Sequence, residues 1–383
     1  MAIKQLKIGI DVTGIHRVEK TGTETFIYNL IENLKLDRNN KYVLYSYYDL
    51  APDFILPDNF SIRICKLKPS VGRDILMFLF WNVLSLPIMI AKDKLDIFLS
   101  TNQMGPLFCT TNLFTVIHDL SFLTQQECFN FKDRLIFKFF ARLTILKSKK
   151  IFADSIATKN DLIKFYNVSH EKINVVYLGY DKNKFCLQKK SEIIRLKQKY
   201  NIDSEYMLFV GTLQKRKNIR NLILAFDLLK KKYEINEKLV IAGKKGWLYQ
   251  DIFATIMEKK LENDVIFTDY VSKDDISPLL AGAKVFVLPS LYEGFGIPIL
   301  ESMATGTPVV ASNISSLPEV TSDAAVLINN PNSVEEIAEK IKLIITDNNL
   351  RNDFSKRGLK RVNYFSWKKM SDEYLKVFNN YIR

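Results

Sequence analysis

Cysteine is scarce in this chain, and what there is forms no chemically useful group. Cys65, Cys109, Cys128 and Cys186 lie far apart, with no Cys-x-x-Cys pair and no histidine cluster nearby. This excludes a disulfide framework and a structural zinc site and fits reduced, cytosolic chemistry. Only 11 prolines occur in 383 residues and 47% of the residues are hydrophobic, so the chain is globular with ample core, and its length suggests two domains. Met1-Ala-Ile-Lys-Gln-Leu-Lys-Ile-Gly-Ile-Asp11 is too polar, and turns into a strand pattern too soon, to read as a secretory signal. The longest apolar run, Ile75–Ala91, is interrupted by Asn82, Ser85 and Pro87 and flanked by charge. It falls short of the ~20 residues that a membrane-spanning helix needs and reads as a buried helix or one resting on a membrane.

Charge of one sign is in excess. A net charge of +13 would suit nucleic acid, an anionic membrane or a phosphorylated substrate. No zinc-finger spacing, aromatic RNP-type strand or helix-turn-helix pattern occurs, so nucleic acid is not an expected partner. Phe131–Lys150 interleaves basic residues with Phe131, Leu135, Phe137, Phe139 and Phe140. Such a helix suits a membrane interface; a sheet-covering helix with a solvated basic face is the alternative.

Short apolar strands alternate with helical patterns throughout, which predicts an α/β chain of two Rossmann-like, doubly wound domains with parallel sheets covered on both faces. The first half offers strands at Leu6–Asp11, Tyr42–Ser46, Ile62–Cys65, Ile97–Ser100, Phe114–Ile117, Ile151–Ala153 and Ile173–Tyr177, with a helix over Thr23–Leu34. The second offers Met207–Gly211, Leu239–Gly243, Val265–Thr268, Val285–Pro289, Pro308–Ala311 and Ala325–Ile328, with helices over Asn221–Lys232, Gln250–Leu261, Ile276–Ala281 and Ile299–Thr305. The charged stretch Gln188–Glu205, with little apolar periodicity, reads as a crossover. The expected organisation is an N-terminal domain over 1–187, a linker over 188–204, a C-terminal domain over 205–365 and a final helix over 366–383. Two such sheets in series place ligands at the carboxyl ends of the strands, facing a cleft.

One stretch carries most of the chemistry: Pro289-Ser-Leu-Tyr-Glu-Gly-Phe-Gly-Ile-Pro-Ile-Leu-Glu-Ser302. A strand runs into a glycine-rich turn, Gly294-Phe295-Gly296, followed by Ile297, and a helix opens near Pro298, where proline is tolerated in the first turn. Free N–H groups at such a helix start attract phosphate. Glu293 precedes that anion site and Glu301 follows it, in the first turn. Carboxylates there would repel phosphate and are better suited to hydroxyl groups, and the combination describes a nucleotide sugar. A first-turn acid favoured by the helix dipole and a solvated loop residue remain the plainer alternatives.

This Glu-x7-Glu pattern resembles the signature of retaining glycosyltransferases of the GT-B fold, particularly family 4. Phe209-Val-Gly211-Thr212-Leu-Gln-Lys-Arg216-Lys217-Asn218 resembles the family's diphosphate-binding segment, with Thr212 where many members carry arginine and Arg216 and Lys217 supplying the cations. The resemblance implies that Glu293 holds sugar hydroxyls, Glu301 the ribose hydroxyls, and the backbone around Tyr270 and Val271 the base. It makes His118, in Thr115-Val-Ile-His118-Asp119 at a strand end, the active-site histidine, with its side chain and neighbouring backbone toward the sugar. Thr21-Gly22-Thr23 keeps one glycine of a pair that usually approaches the donor phosphate, and the long loop Asp11–Lys20 is a candidate for acceptor binding. The final helix is expected to return to the N-terminal domain.

The implied reaction is sugar transfer to a hydroxyl of a growing cell-surface or lipid-linked glycan, with retention and without a metal or cofactor. Asp-x-Asp, the metal-binding mark of the other large glycosyltransferase fold, does not occur. The Gly-Thr-Leu-x-x-Arg-Lys-Asn form leans to GDP-mannose as donor, with UDP- and dTDP-sugars as alternatives. The expected location is cytoplasmic, with peripheral contact to an anionic membrane. An epimerase or sucrose/glycogen-type synthase on the same fold, and a non-catalytic sugar-nucleotide binder, are the competing readings.

Overall fold

A computed structural model describes residues 4–16, 21–50, 54–65, 78–246 and 249–382. The chain divides into two compact units. One comprises Met1–Leu123, Phe129–Leu178 and Trp367–Arg383; the other comprises Thr124–Cys128 and Gly179–Ser366.

In the first unit, β1 (Lys7–Asp11) leads to α1 (Gly22–Leu34), then β2 (Lys41–Ser46) and β3 (Phe60–Ile64). There follow α2 (Leu86–Asp93), β4 (Ile97–Ser100), β5 (Asn112–Ile117), the short α3 (Ser121–Thr124), α4 (Phe131–Lys147), β6 (Lys150–Ala153), α5 (Ile156–Tyr166) and β7 (Ile173–Val175). The strands form one parallel sheet in the order β3-β2-β1-β4-β5-β6-β7. The interior strands are short unbroken apolar runs because helices cover both faces; only the edge strand β3 alternates between buried and exposed residues.

In the second unit, α6 (Lys190–Lys199) precedes β8 (Tyr206–Val210), α7 (Ile219–Tyr233), β9 (Lys238–Ala242), α8 (Gln250–Lys259) and β10 (Val265–Asp269). Next come α9 (Ile276–Ala281), β11 (Val285–Leu288), α10 (Ile297–Ala304), β12 (Val309–Ser312), α11 (Leu317–Thr321), β13 (Ala325–Ile328), α12 (Val334–Thr346) and α13 (Asn348–Arg361). The sheet is parallel, in the order β10-β9-β8-β11-β12-β13. In both sheets the strand order reverses beside the first strand of the unit, between β1 and β4 and between β8 and β11. Loops leaving the carboxyl ends at such a reversal diverge and leave a crevice for ligand.

Three features were not read from the sequence. The charged stretch taken as a crossover contains α6, fastened by Arg195 and Lys199 to the buried Asp275, with Nη2–Oδ1 at 3.1 Å and Nζ–Oδ2 at 2.5 Å. Its carboxyl is held at about 2: burial would raise it, but hydrogen bonds from Lys199, Ser272 and Arg195 prevail. Helices α12 and α13 also appear, with Ser333 accepting from the Glu336 N–H and Asp347 from the Leu350 N–H as N-caps. Ile337, Ile341, Ile344 and Ile345 give α12 a buried face at helical spacing.

The last helix, α14 (Trp367–Ile382), belongs to the first unit. Tyr374 stacks on Phe152 with centroids 4.0 Å apart, and Phe378 lies 5.7 Å from Phe114, so α14 covers strands β5 and β6. Of the apolar run Ile75–Ala91, residues 75–77 lie outside the described residues. The remainder forms a π-turn at Trp81–Ser85 running into α2, next to Pro87, whose ring nitrogen cannot donate to the helical ladder. Trp81, Leu86 and Ile90 are buried, whereas Phe80, Leu84 and Ile88 are exposed. Among the described residues no helix is long and apolar enough to cross a membrane.

Candidate active site

The reversal point of the second sheet gathers two of the segments singled out in the sequence. The loop after β8 carries Gly211, Thr212, Arg216 and Lys217; the loop after β11 carries Glu293 and the Gly294–Gly296 turn. Backbone contact is close here. A Cβ on Gly243, after β9, would lie 2.0 Å from the Gly211 carbonyl oxygen, so only glycine permits the two strand ends to approach. The loops after β8 and β11 are laced together: the Leu291 N–H donates to the Arg216 carbonyl at 2.8 Å. Asn218, in the left-handed region at φ 60°, donates to the carbonyls of Pro289 (3.0 Å) and Pro331 (2.6 Å).

Glu293 is the centre of this arrangement. It is 5% exposed, and its carboxylate accepts from Lys217 Nζ at 2.6 Å, Arg216 Nη1 at 3.2 Å and Ser290 Oγ at 2.7 Å. Burial would raise this carboxyl, but Lys217 and Arg216 outweigh it and bring it down to about 2. Arg216 Nη1 also donates to the Tyr292 carbonyl at 3.1 Å. Ser315 and Ser316 hydroxyls donate to the Glu293 carbonyl, and its N–H donates to Ser315 Oγ, each at 2.9 Å. A carboxylate so restrained in side chain and backbone keeps its orientation without a ligand.

Gly296 is the N-cap of α10 at φ +95°, a conformation that L side chains rarely adopt, and no side chain caps the helix start. Ile297 and Pro298 form the first turn, and Phe295 packs edge-on against Phe365 at 5.8 Å. Because the helix opens at Ile297, Glu301 lies in its second turn; the first-turn placement expected from the sequence is corrected, and the helix-dipole explanation for an acid there loses its basis. Burial lifts the Glu301 carboxyl to about 7, with Lys184 lowering it and Asp181 raising it. Further along the strand ends, Tyr270 lies beneath Lys244 Nζ at 5.0 Å and Val271 is buried. Trp247, nearby in sequence, lies outside the described residues.

His118 and Gly22 belong to the first unit. His118 follows β5 at the carboxyl edge of its sheet, with Nδ1 2.7 Å from Asp154 Oδ2 and Nε2 3.0 Å from the Thr101 carbonyl. Burial would lower its pKa, but Asp154 and the other partners raise it overall. Gly22 is the first residue of α1 rather than part of the loop before it, and the Glu24 carboxylate turns back onto the Thr21 N–H. One of the N–H groups at this helix start is thereby already occupied. In the loop Asp11–Lys20, residues 17–20 lie outside the described residues. Ser290, Asn218, Ser315, Lys184 and Asp154 were not singled out as site residues in the sequence. Asn218 alone carried a signal, as the last position of the Arg-Lys-Asn run.

Two doubly wound parallel sheets in series, each with a strand-order reversal, define an α/β protein of the GT-B fold. Residues 190–361 match the family described as Glycosyl transferases group 1. O-antigen chain mannosyltransferase B of Escherichia coli is 33% identical over 266 residues, covering 69% of this chain and 69% of that protein. O-antigen chain mannosyltransferase RfbU of Salmonella typhimurium is 26% identical over 262 residues, covering 68% and 69%. Among solved structures, sucrose-phosphate synthase from Thermosynechococcus elongatus superposes with a TM-score of 0.80 at 18% identity over 99% of each chain. HepE of Anabaena, solved with UDP and glucose, superposes at 0.75 with 19% identity over 98% of this chain and 99% of that one. The chain belongs to the group 1 glycosyl transferases and is a glycosyltransferase.

Proposed function

We propose that the protein transfers mannose from GDP-mannose to a hydroxyl of a cell-surface or lipid-linked glycan of the O-antigen kind, with retention and without a metal. The observation that carries this reading is the Arg216–Lys217–Glu293 cluster at the sheet reversal, in a chain whose relatives include O-antigen mannosyltransferases. Arg216 and Lys217, with backbone N–H groups near Gly211, Thr212 and the Gly294–Ile297 turn, would hold the diphosphate and stabilise its developing charge as it leaves, the task a divalent ion performs elsewhere. Glu293, ionised and fixed, accepts sugar hydroxyls; Glu301 takes the ribose, and Tyr270 and Val271 border the base. The acceptor oxygen bonds to the anomeric carbon on the face from which the diphosphate departs. The bond to the diphosphate breaks, and the hydroxyl proton passes to the departing phosphate oxygen. His118 contributes through its neighbouring backbone, and Gly22 through its helix start.

Incubating the protein with GDP-mannose, UDP-glucose and dTDP-sugars, with and without EDTA, and with a lipid-linked glycan acceptor tests the reading. Mannosylated product with α-configuration retained by NMR, undiminished by EDTA, is expected. Absence of a thermal shift with every nucleotide sugar would sink it; transfer from a UDP- or dTDP-sugar alone would move the donor assignment.

We further propose that the first unit rests on an anionic membrane, where lipid-linked acceptors lie. On α4, Phe140, Ala141, Thr144 and Ile145 face the core, while Phe131, Leu135 and Phe139 recur at four-residue spacing on the exposed side, 65%, 49% and 58% exposed. Lys132, Arg134, Lys138 and Arg142 flank them. Phe78 touches Phe140 edge-on at 5.2 Å, and Phe80, Leu84 and Ile88 of the same segment are also exposed. Exposed apolar stripes among lysines suit the headgroup boundary.

A further inference from the structure

His118 is held between two groups of different character. The Thr101 carbonyl can only accept, so Nε2 carries a hydrogen. The partner of Nδ1 is a carboxylate, 3% exposed at its side chain, whose second oxygen, Oδ1, has no hydrogen-bond partner among the described residues. A proton must therefore lie between Nδ1 and Oδ2. Without it, a ring lone pair would face a buried anion at 2.7 Å. The chain of contacts continues on the other side: Thr101 Oγ1 donates to the Asp11 carbonyl at 2.8 Å. Asp11 ends β1, Thr101 follows β4, His118 follows β5 and Asp154 follows β6, four neighbours in sheet order. One protonated ring thus completes a hydrogen-bonded strap across the carboxyl ends of four adjacent strands.

We propose that Asp154 is a positioning residue of the transfer reaction: it retains the proton that makes both His118 nitrogens donors, and so fixes the strand ends that carry Asp11, Thr101 and His118. The proposal rests on the transferase reading above. The ring nitrogens are then spent inside the protein, and what His118 presents outward is its backbone and its fixed place. Burial works against the charged ring, and the hydrogen-bonding and charged surroundings outweigh it. Asp119, next in the chain, adds a second negative charge; Phe26 of α1 packs edge-on against the ring at 4.9 Å; and Tyr374 of α14, its hydroxyl pushed far up by burial and Asp154, stays neutral. The Asp154 carboxyl is itself raised by burial, so proton loss is disfavoured at both ends of the hydrogen bond.

The test is 15N-histidine NMR of the full chain between pH 6 and 9, with the His118 signals identified by their loss in His118→Gln, alongside steady-state kinetics of Asp154→Asn. An asparagine amide donates to a neutral ring, so the shape survives while the held proton is lost. Wild-type His118 should keep both ring hydrogens well above the ordinary 6.5. In Asp154→Asn the ring should be neutral at pH 8, with kcat about 10-fold lower, recovering toward pH 6 and with nucleotide Kd unchanged; a loss of 10²–10⁴ would suit a direct proton donor instead. Release of the wild-type proton near the ordinary 6.5, or a wild-type kcat and pH profile in Asp154→Asn, would overturn the proposal. If Asp154→Asn fails to fold, the wild-type titration decides. Should the wild type transfer no sugar from any donor, the transferase reading falls, and the ring titration still reports whether the proton is held.

Discussion

Lys217 and Glu293, 76 residues apart, meet in a buried ion pair at 2.6 Å, and the same carboxylate accepts from Arg216 on its other oxygen. The two cations proposed to hold the diphosphate are thus already neutralised in part by the glutamate proposed to hold the sugar. A bound diphosphate would add its negative charge to a cluster in which two cations already face one carboxylate, and would compete with Glu293 for Arg216 and Lys217.

Removing either member should therefore cripple turnover. Glu293→Ala and Lys217→Ala are each expected to lower kcat/KM by at least ~10²-fold, the scale of losing one charge-stabilising contact. Steady-state kinetics with saturating acceptor reads this. Wild-type turnover in either variant would remove that residue from the reaction.

The pair also predicts how stability depends on pH. The folded Glu293 carboxyl, at about 2, lies below its usual 4.5, so its contribution is present above pH 4.5 and is lost as pH falls toward 2. At ~1.4 kcal/mol per pH unit this is on the order of 3 kcal/mol. Urea unfolding of wild type and Glu293→Gln should show a gap at pH 7 that closes on acidification. A gap independent of pH would count against the charge pair as its source.

Glu301 should behave in the opposite sense. Its folded value, about 7, lies above 4.5, so the stability linked to its neutral form is complete below pH 4.5 and is lost as pH rises through 7. Glu301→Gln, permanently neutral, should match wild type at pH 4 and exceed it at pH 8 by on the order of 3 kcal/mol. Parallel melts at the two pH values check this, and equal melting temperatures at pH 8 would contradict it.

Glycine at position 243 tests the close approach of β8 and β9. Alanine would put a methyl group 2.0 Å from the Gly211 carbonyl. Gly243→Ala should cost at least ~2 kcal/mol in chemical unfolding, the scale of overpacking in a rigid site. Gly22→Ala, whose Cβ would meet nothing within 4 Å, is the control and should be nearly neutral.

For the membrane surface, Phe131→Glu with Phe139→Glu should abolish co-sedimentation with phosphatidylserine vesicles at low salt while leaving the melting temperature unchanged, because both rings are exposed. Failure of the wild type itself to co-sediment would leave α4 as solvated surface.

The α/β architecture was legible because the interior strands are unbroken apolar runs such as Val285–Leu288 between helical repeats. The sequence also singled out Arg216, Lys217 and Glu293, which the structure joins in one cluster. What could not be read was who satisfies whom. Glu293 looked like a group awaiting hydroxyls, yet it is already paired, because spacing along the chain says nothing about which loops leave neighbouring strands. Asp154 went unnoticed for the same reason: its partner lies 36 residues earlier, on an adjacent strand. Helix α6 was missed because its stabilising contacts are ionic, to Asp275, rather than an apolar stripe.

Helix α14 seals strands β5 and β6 with residues that follow the whole second unit in the chain. The first unit therefore cannot close its core as soon as its own sheet has been synthesised; Phe114 and Phe152 wait, uncovered, while the second unit is made. A nascent chain stalled before Trp367 should be a target for chaperones, and loss of α14 should damage the first unit as much as a lesion inside its sheet.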